Sequence, residues 1–283
     1  MNTLRDVRRR IKTVSNISHL TDAMQKIASF ALNKSRNRLS NAKAYIETTE
    51  KVLKGLVNSE KDYSHPFFRE PLRADSILLI AFSSDKGLCG SYNNNIMHAA
   101  ERFIKENSGQ QAKALVFGKK GANFFRKRGI EIARDWTDTP TFFDYSLPRE
   151  LSETVISLYL TGRYSGVYMA YTSYISIAKN LPVIEKILPV AAGAGDKEDL
   201  NLYEPGRKQA LDYILPEYIR SLVLKGMLES SASEHASRTI AMEQATKNAI
   251  DMIDSLTILG NKLRQSGITR ELTDIIGGTE NLS

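Results

Sequence analysis

The sequence predicts a mixed fold class, in which a long antiparallel coiled coil of N- and C-terminal helices accompanies a central α/β domain. All eight prolines lie between Pro66 and Pro216, and no glycine precedes Gly55. At both ends, apolar residues recur in steps of three and four, which is typical of amphipathic helices. The chain is therefore divided into an N-terminal coiled-coil helix (1–60), a central α/β domain (75–200) and a C-terminal coiled-coil helix (208–278).

The N-terminal helix is indicated by one apolar stripe. Its members are Leu4, Val7, Ile11, Val14, Ile17, Leu20, Met24, Ile27 and Ala31. Such a helix would measure about 85 Å, far more than a compact domain needs, so it requires a partner helix. Because a folded middle joins the two ends, that partner is predicted to be the C-terminal helix, packed antiparallel. The Arg-rich start carries Asp6 and has no apolar core of a leader, so we expect it to belong to the helix.

The middle of the chain is predicted to alternate between strands and helices. Apolar, β-prone runs at 76–82, 113–118 and 166–174 predict strands, and the segments 93–106, 119–128 and 149–161 have helical patterns. This alternation predicts βαβ units, a mainly parallel sheet and hence a Rossmann-like domain. A further edge strand is predicted at 181–190, which contains Pro182 and Pro189.

Helical spacing returns in the C-terminal third, from about Lys208 onward. The predicted contact face contains Ala249, Ile253, Leu256, Gly260, Leu263, Ile268, Leu272 and Ile275. The pair Gly277–Gly278 is typical of a helix end. Pro216 is expected to kink the helix or delay its start, because proline cannot donate a backbone hydrogen bond.

Composition limits the classes of function. The chain is 42% hydrophobic and 25% charged, as is usual for globular proteins, and no apolar run reaches the roughly 20 residues that span a bilayer. A single cysteine excludes an internal disulfide and fits a reducing compartment. Residues 1–58 hold twelve Lys/Arg and four Asp/Glu, whereas the other 225 residues hold 27 and 28, so the basic excess lies in the first helix. That helix presents either a solvated face or a surface for an acidic protein, nucleic acid or anionic lipid.

The stretch SSDKGLCGSYNNN (83–95) follows the first predicted strand and could be a phosphate-binding turn. Its only glycine pattern is Gly87 to Gly90, and the sequence contains no GxxxxGK[ST] loop and no HExxH motif. A nucleotide-dependent enzyme is therefore an alternative with less support than a plain strand-to-helix turn. A nucleic-acid-binding protein is a second alternative, against which the first helix has no aromatic residue before Phe30.

Four motifs occur in order: RDVRRRIKTVSNISHLTDAMQKIA near the start, SSDKGLCGSYNNNI after the first strand, LYEP at 202–205 and NKLRQSGITRELTDIIGG at 261–278. Together they resemble the gamma-subunit family of F-type ATP synthases over essentially the whole chain. The resemblance implies a central-stalk rotor subunit that couples ion flow through the membrane c ring to ATP synthesis or hydrolysis, and that regulates ATPase activity. It implies no catalytic group, cofactor or metal in this chain.

The resemblance also implies partners and a location. The partners are the alpha and beta subunits of the catalytic hexamer, the epsilon subunit and the c ring, without nucleic acid. The membrane is reached only indirectly through the c ring, so the chain would be a peripheral protein on the cytoplasmic side of a bacterial inner membrane. Plastid members carry an additional cysteine pair for redox control, which a chain with one cysteine lacks.

The resemblance assigns contacts to individual residues. Those with beta subunits fall on Met24, Lys86, Cys89, Arg264 and Gln265, and those with the c ring fall on Tyr203 and Glu204. Met24 would lie near an acidic lever of the beta subunit or pack in the coiled coil, and Lys86 would face that lever. Cys89 would be a packed small side chain. Arg264 and Gln265 would hydrogen-bond beta subunits or lie on a solvated face. Asp22 stands where the family often has lysine.

Overall fold

The computed structural model describes residues 3–57, 65–72, 74–138, 146–191 and 206–280. They form two compact units, one made of Met1–Ala28 with Thr239–Ser283 and the other of Ser29–Arg238. The regular elements are α1 (Leu4–Leu56), a 3-10 turn (Pro66–Phe68), β1 (Ser76–Phe82), α2 (Tyr92–Glu106), β2 (Gln111–Phe117), α3 (Lys119–Lys127), β3 (Glu131–Trp136), α4 (Ser146–Leu160), β4 (Tyr164–Tyr174), β5 (Asn180–Leu188) and α5 (Arg207–Glu280). Terminal helices and a central α/β region confirm the predicted fold class, while the three-part division by residue ranges stays a prediction.

The second unit contains a five-stranded sheet with the order β3-β2-β1-β4-β5. Strands β3, β2, β1 and β4 run parallel, and β5 pairs antiparallel with β4 at the edge, as predicted. No strand is predicted at β3, whose residues EIARDW include three charged side chains and of which only Trp136 is buried. An edge strand with so little burial has a weak apolar pattern, so β3 is recognised only from its pairing with β2 in the structure.

Each face of the sheet is covered by a different set of helices. On one face, Leu78, Ile80 and Phe82 of β1 belong to a core that includes side chains of α1, α4 and α5. On the other, Leu79 and Ala81 pack with side chains of α2 and α3. Because successive strand residues point to opposite faces, a run such as SILLIAF must be apolar throughout to serve both cores. This explains why β1 was recognisable from sequence.

The two terminal helices pack antiparallel within each unit. In the first unit the hydroxyl oxygens of Thr21 and Thr246 lie 2.7 Å apart, and in the second those of Ser35 and Ser231 lie 3.0 Å apart. Residues with little exposure recur every seven positions along α1, and this heptad seam contains Val7, Val14, Thr21, Ala28, Ser35, Ala42, Thr49 and Leu56. Val14 is only partly covered, and Leu32 and Leu53 are buried beside the seam.

The predicted apolar stripe of α1 is correct near the start of the helix and wrong beyond Val14. Ile17, Leu20 and Ile27 are 48%, 61% and 69% exposed, whereas Thr21 and Ala28 are buried. The physical reason is that small side chains allow α5 to approach closely, and the paired hydroxyls satisfy each other there. The exposed residues define an outward apolar row, made of Ile17, Leu20 and Ile27.

For α5, the expected delay at Pro216 and the expected end at Gly277–Gly278 are wrong, while the expected kink at Pro216 stays a prediction. The helix begins at Arg207 and is continuous through Pro216, so the proline does not delay it. Its neighbours Leu215 and Ile219 are fully buried in the core, and this packing outweighs one missing backbone hydrogen bond. The pair Gly277–Gly278 does not end the helix, which continues to Glu280, because glycine weakens a helix without forbidding it.

The predicted contact face of α5 holds as far as Leu263. Ala249 is buried and Ile253, Leu256, Gly260 and Leu263 are partly covered, in agreement with the prediction. Ile268 and Leu272 are exposed, contrary to it, and the side chain of Ile275 lies outside the described residues. Gly260 already faces Val7 and Leu4 at the start of α1, so among the described residues α1 offers few side chains opposite the turns of α5 beyond Leu263.

Candidate functional site

The loop from Ser83 to Asn95 leaves the sheet at the end of β1 and enters α2. Its polar side chains bond within the loop: Ser84 donates from its backbone N–H to Asn93 Oδ1 (3.0 Å) and from Oγ to the carbonyl oxygen of Lys86 (2.6 Å). Asp85 ties it to the next βα turn by accepting from the backbone N–H of Lys119 (2.9 Å). The side chain of Lys86 is exposed, so the loop is an ordered turn that presents a cation outward.

In a doubly wound sheet, ligands usually bind where the strand order reverses, which here is between β1 and β4. That position is covered by α5. Ser230 Oγ accepts from the backbone N–H of Thr172 (3.3 Å), and Ser233 Oγ donates to the carbonyl oxygen of the same residue (3.0 Å). A methyl group on Gly226 would lie 2.6 Å from Met169 Sδ, so the helix contacts the sheet closely. A nucleotide bound in this crevice would have to displace α5.

An ion pair of α5 lies under the loop. Arg238 and Glu234 are joined by a bond of 2.7 Å from Nη1 to Oε1, and their side chains are only 11% and 19% exposed. The other terminal nitrogen of Arg238, Nη2, donates to the carbonyl oxygens of Lys86 (3.3 Å) and Gly87 (3.4 Å). Sequence reasoning missed this pair. The available indication was a charged i, i+4 couple in the small-residue stretch SASEHASR, on the side of α5 opposite to Ala232 and Ala236, which pack with Leu32 of α1.

Burial shifts the titratable groups around this pair. It raises the pKa of the Glu234 carboxyl, an effect that the charge of Arg238 partly offsets. It lowers the pKa of His235 to about 4, with the charge of Arg238 as a second cause. Burial also raises the pKa of the Cys89 thiol, whose sulfur accepts a hydrogen bond from Asn93 Nδ2 (3.1 Å). A buried thiol of this kind is an inert packing group, as predicted for Cys89.

His235 should make stability depend on pH in the mildly acidic range. Its pKa is about 4 in the folded chain against an ordinary value of 6.5, so the unfolded chain binds more protons between these values, and stability is lost as pH falls through that window. Between pH 7 and pH 5 the loss should be about 2 kcal/mol, and His235→Asn should remove it. Urea unfolding of both proteins at several pH values measures the difference. The variant retains Glu234 and Arg238, so equal pH dependence in the two proteins would contradict the assignment.

The remaining predicted contact residues lie on the helices. Met24 is half-buried on α1, between the exposed residues Leu20 and Ile27 and outside the heptad seam. Arg264 and Gln265 are exposed on α5, just after the last partly covered residue, Leu263. Lys86 and Cys89 share the loop of the second unit. The predicted c-ring contacts, Tyr203 and Glu204, lie outside the described residues.

The described parts of the chain offer little for metal or membrane binding. Within them, no three His, Cys, Asp or Glu side chains are grouped so that they could hold a metal ion. None of the helices in those same ranges combines the length and the apolar character needed to cross a bilayer. The features that the structure does provide are surfaces: the outward apolar row, the exposed basic residues of α1 and the loop that carries Lys86.

Solved structures share this fold. A chain of the Euglena gracilis mitochondrial ATP synthase (OSCP/F1/c-ring, rotational state 3) superposes with a TM-score of 0.67 at 17% identity, covering 98% of this chain and 94% of that one. A chain of the Tetrahymena thermophila mitochondrial ATP synthase central stalk and c ring gives a TM-score of 0.62 at 24% identity, covering 80% and 99%.

Sequence relatives extend the likeness from fold to family. The sequence model of a family described as ATP synthase matches residues 3–282. The ATP synthase gamma chain of Pelotomaculum thermopropionicum is 35% identical over 283 residues, which cover 98% of each chain. That of Nitratidesulfovibrio vulgaris strain Hildenborough is 36% identical over 291 residues, covering 100% of this chain and 99% of the relative. Since the agreement extends over the full length at this identity, the chain belongs to the ATP synthase gamma chain family.

Proposed function

We propose that this chain is the rotating central-stalk subunit of an F-type ATP synthase. It couples ion flow through the membrane c ring to ATP synthesis or hydrolysis in the hexamer of alpha and beta subunits. The observation that carries the proposal is the family membership over the whole chain, at about 35% identity to gamma chains. The antiparallel pairing of α1 with α5 agrees with it, because a rotor needs an element that transmits torque without unfolding.

The exposed surfaces of the first unit are suited to a rotor that is surrounded by partners. The side chains of the outward apolar row are exposed, and exposed apolar side chains at helical spacing favour contact with another protein. The basic excess of α1 would be attracted to acidic surfaces of the beta subunits. Exposed ion pairs contribute only about 0–1 kcal/mol each, so such attraction guides the shaft without trapping it at one angle.

In this proposal the chain is not itself catalytic. Its partners are the alpha and beta subunits, the epsilon subunit and the c ring, and it lies as a peripheral protein on the cytoplasmic side of a bacterial membrane. Met24, Lys86, Arg264 and Gln265 contact beta subunits, and Tyr203 and Glu204 contact the c ring. Cys89 is buried, so it packs inside the loop that presents Lys86 and does not touch a beta subunit itself. The position of α5 over the crevice between β1 and β4 supports a transmitting role in preference to nucleotide binding.

Reconstitution tests the proposal directly. The full chain is mixed with purified alpha and beta subunits of a related bacterial enzyme, and complex formation and ATPase activity are measured with and without it. We expect a stable complex in which the chain changes the ATPase rate. A chain that does not join the complex, or that joins without changing the rate, would refute the rotor function. Calorimetric titration of the chain with ATP provides the control for the nucleotide-binding alternative.

Lys86→Glu should weaken coupling. The exposed cation on the loop would become an anion facing an acidic surface, so attraction would turn into repulsion, with a change of about 1–2 kcal/mol in the contact. The expected result is a several-fold lower ratio of proton transport to ATP hydrolysis in reconstituted vesicles, with normal assembly. Lys127→Glu is the matched control, because Lys127 is also exposed but lies at the end of α3. If both variants give the same ratio as the unaltered chain, Lys86 makes no such contact.

A further inference from the structure

We propose that Arg238 is a positioning residue of the rotor, which fixes the main chain at Lys86 and Gly87 to α5 so that force on the loop passes directly into the C-terminal helix. The Arg238 clamp consists of Arg238, Glu234 and the carbonyl oxygens of Lys86 and Gly87. This inference rests on the proposed function, because it assumes that Lys86 is a point of contact with a partner.

The geometry of the guanidinium carries the inference. One terminal nitrogen, Nη1, bonds the carboxylate of Glu234 at 2.7 Å, while Nη2 reaches two successive carbonyl oxygens at 3.3 Å and 3.4 Å. Arg238 follows Lys86 and Gly87 by more than 150 residues in the chain. The bonds therefore join the sheet-to-helix loop to α5, an element that is distant from the loop in sequence. A planar group with several fixed donors can hold such an arrangement, which a lysine ammonium cannot reproduce.

Lys86 and Gly87 themselves have few other attachments, although the preceding residue, Asp85, accepts from the backbone N–H groups of Lys119 and Asp138. Gly87 has open space around it, since a methyl group there would approach only the end of the Lys120 side chain, at 3.8 Å. The next residue, Leu88, has φ of 62° and is exposed, so its side chain does not anchor the turn. The carbonyl oxygen of Lys86 also accepts from Ser84 Oγ, which belongs to the same loop. Arg238 therefore supplies side-chain hydrogen bonds that connect the main chain of Lys86 and Gly87 to another element.

Joining the loop to α5 through a buried ion pair costs desolvation free energy. Burying both charges requires that each is compensated, and without Arg238 the Glu234 carboxylate would lose its main compensating charge, since the charge of Lys86 has a smaller effect. The two charged groups thus add directional bonds to the loop that apolar packing would not provide. This favours a role in fixing the loop over a role in general stability.

The first experiment measures the clamp itself. Backbone hydrogen exchange is followed in the assembled complex of alpha, beta and the full chain, comparing Arg238→Met with the unaltered chain. Exchange in loop residues 84–92 should become about tenfold faster, while that of β1 stays the same, because only the loop loses an attachment. Arg238→Lys should give an intermediate change. Lys247→Met, which alters an exposed cation elsewhere on α5, should change neither segment.

The second experiment is a double-mutant cycle on coupling, with the ratio of proton transport to ATP hydrolysis as the readout. Arg238→Met should lower the ratio about threefold in the unaltered chain and have no further effect in a Lys86→Gln background, because it acts through Lys86. A residue that only stabilises α5 would have the same effect in both backgrounds. If Arg238→Met fails to assemble, Arg238→Met combined with Glu234→Gln removes the unpaired charge and is used in its place.

The outcomes separate the clamp from the rotor function. Unchanged loop exchange, or equal effects of Arg238→Met in both backgrounds, would overturn the positioning role. Faster loop exchange together with a normal ratio in Lys86→Gln would support the clamp and overturn the contact assigned to Lys86. Faster exchange with non-additive effects on the ratio would support both.

Discussion

Replacing Gly118 with alanine should lower the free energy of unfolding of the full chain by about 3 kcal/mol or more, through strain and a steric clash. Gly118 follows β2 with φ of 95°, a conformation that is costly for residues with a Cβ atom. The added methyl carbon would also lie 2.3 Å from the carbonyl oxygen of Ser83 and 2.7 Å from its Oγ. Neither contact is possible without movement of the backbone.

Ser83 cannot move away easily, because it is bonded on several sides. Its backbone N–H and its Oγ both donate to the carbonyl oxygen of Phe117, each at 2.8 Å, and its Oγ accepts from the N–H of Gly121 at 2.8 Å. Gly118 itself donates to the carbonyl oxygen of Trp136 at 2.8 Å. A shift at this point would therefore disturb the ends of β1, β2 and β3 together, next to the loop that carries Lys86.

Gly129→Ala is the matched control for Gly118→Ala. Gly129 has φ of 70°, but a methyl group there would meet nothing within 4 Å. That variant should lose only about 1 kcal/mol, which is the cost of the left-handed conformation alone. Urea denaturation of both variants and of the unaltered chain measures the two losses. Equal losses would mean that the close approach of Gly118 to Ser83 is relieved at no cost, contrary to the prediction.

Local patterns were enough to predict most of the fold. β1 was predicted at its observed limits because a strand buried on both faces is apolar at every position. The predicted limits of α2 and α3 agree with the observed ones to within one residue, since each helix comes after a strand and has an amphipathic pattern. β3 was missed because an exposed edge strand needs few apolar side chains. Its existence depends on pairing with β2, which no local pattern encodes.

The site was less predictable than the fold, for the same reason. The turn after β1 was recognised, and so were the exposed Lys86 and the buried Cys89. What lies against that turn is Arg238, whose contact with it depends on the antiparallel course of α5 across the sheet. A single sequence shows that Glu234 and Arg238 are one helical turn apart, but it cannot show which carbonyl groups face them. Long-range polar contacts of this kind carry no periodic pattern.

The coiled coil shows how two periodicities compete within one helix. From Val14 the sequence offers larger apolar residues at Ile17 and Leu20, in agreement with ordinary helical spacing, and smaller ones at heptad positions. The structure follows the heptad, because two long helices keep the same faces in contact only when the repeat is seven residues. Thr21 and Ala28 are therefore buried although they are less apolar than their exposed neighbours. Residue size and register, rather than hydrophobicity alone, decide which face of α1 meets α5.

This choice of register makes opposite predictions for two leucines of the same helix. Leu32 is only 3% exposed and packs with Ala232 and Ala236 of α5, so Leu32→Ala should lower the free energy of unfolding by about 2–4 kcal/mol. Leu20 belongs to the outward apolar row, so Leu20→Ala should change it by no more than about 0.5 kcal/mol. Chemical denaturation of the full chain measures both changes, and the same substitution in each case keeps the helix propensity effect equal. If Leu20→Ala lowered the free energy of unfolding more than Leu32→Ala, the predicted apolar stripe, and not the heptad seam, would be the face of α1 that contacts α5. The predicted difference requires instead that the large apolar side chains of this stretch are held outside the coiled coil, where the proposed partner subunits can cover them.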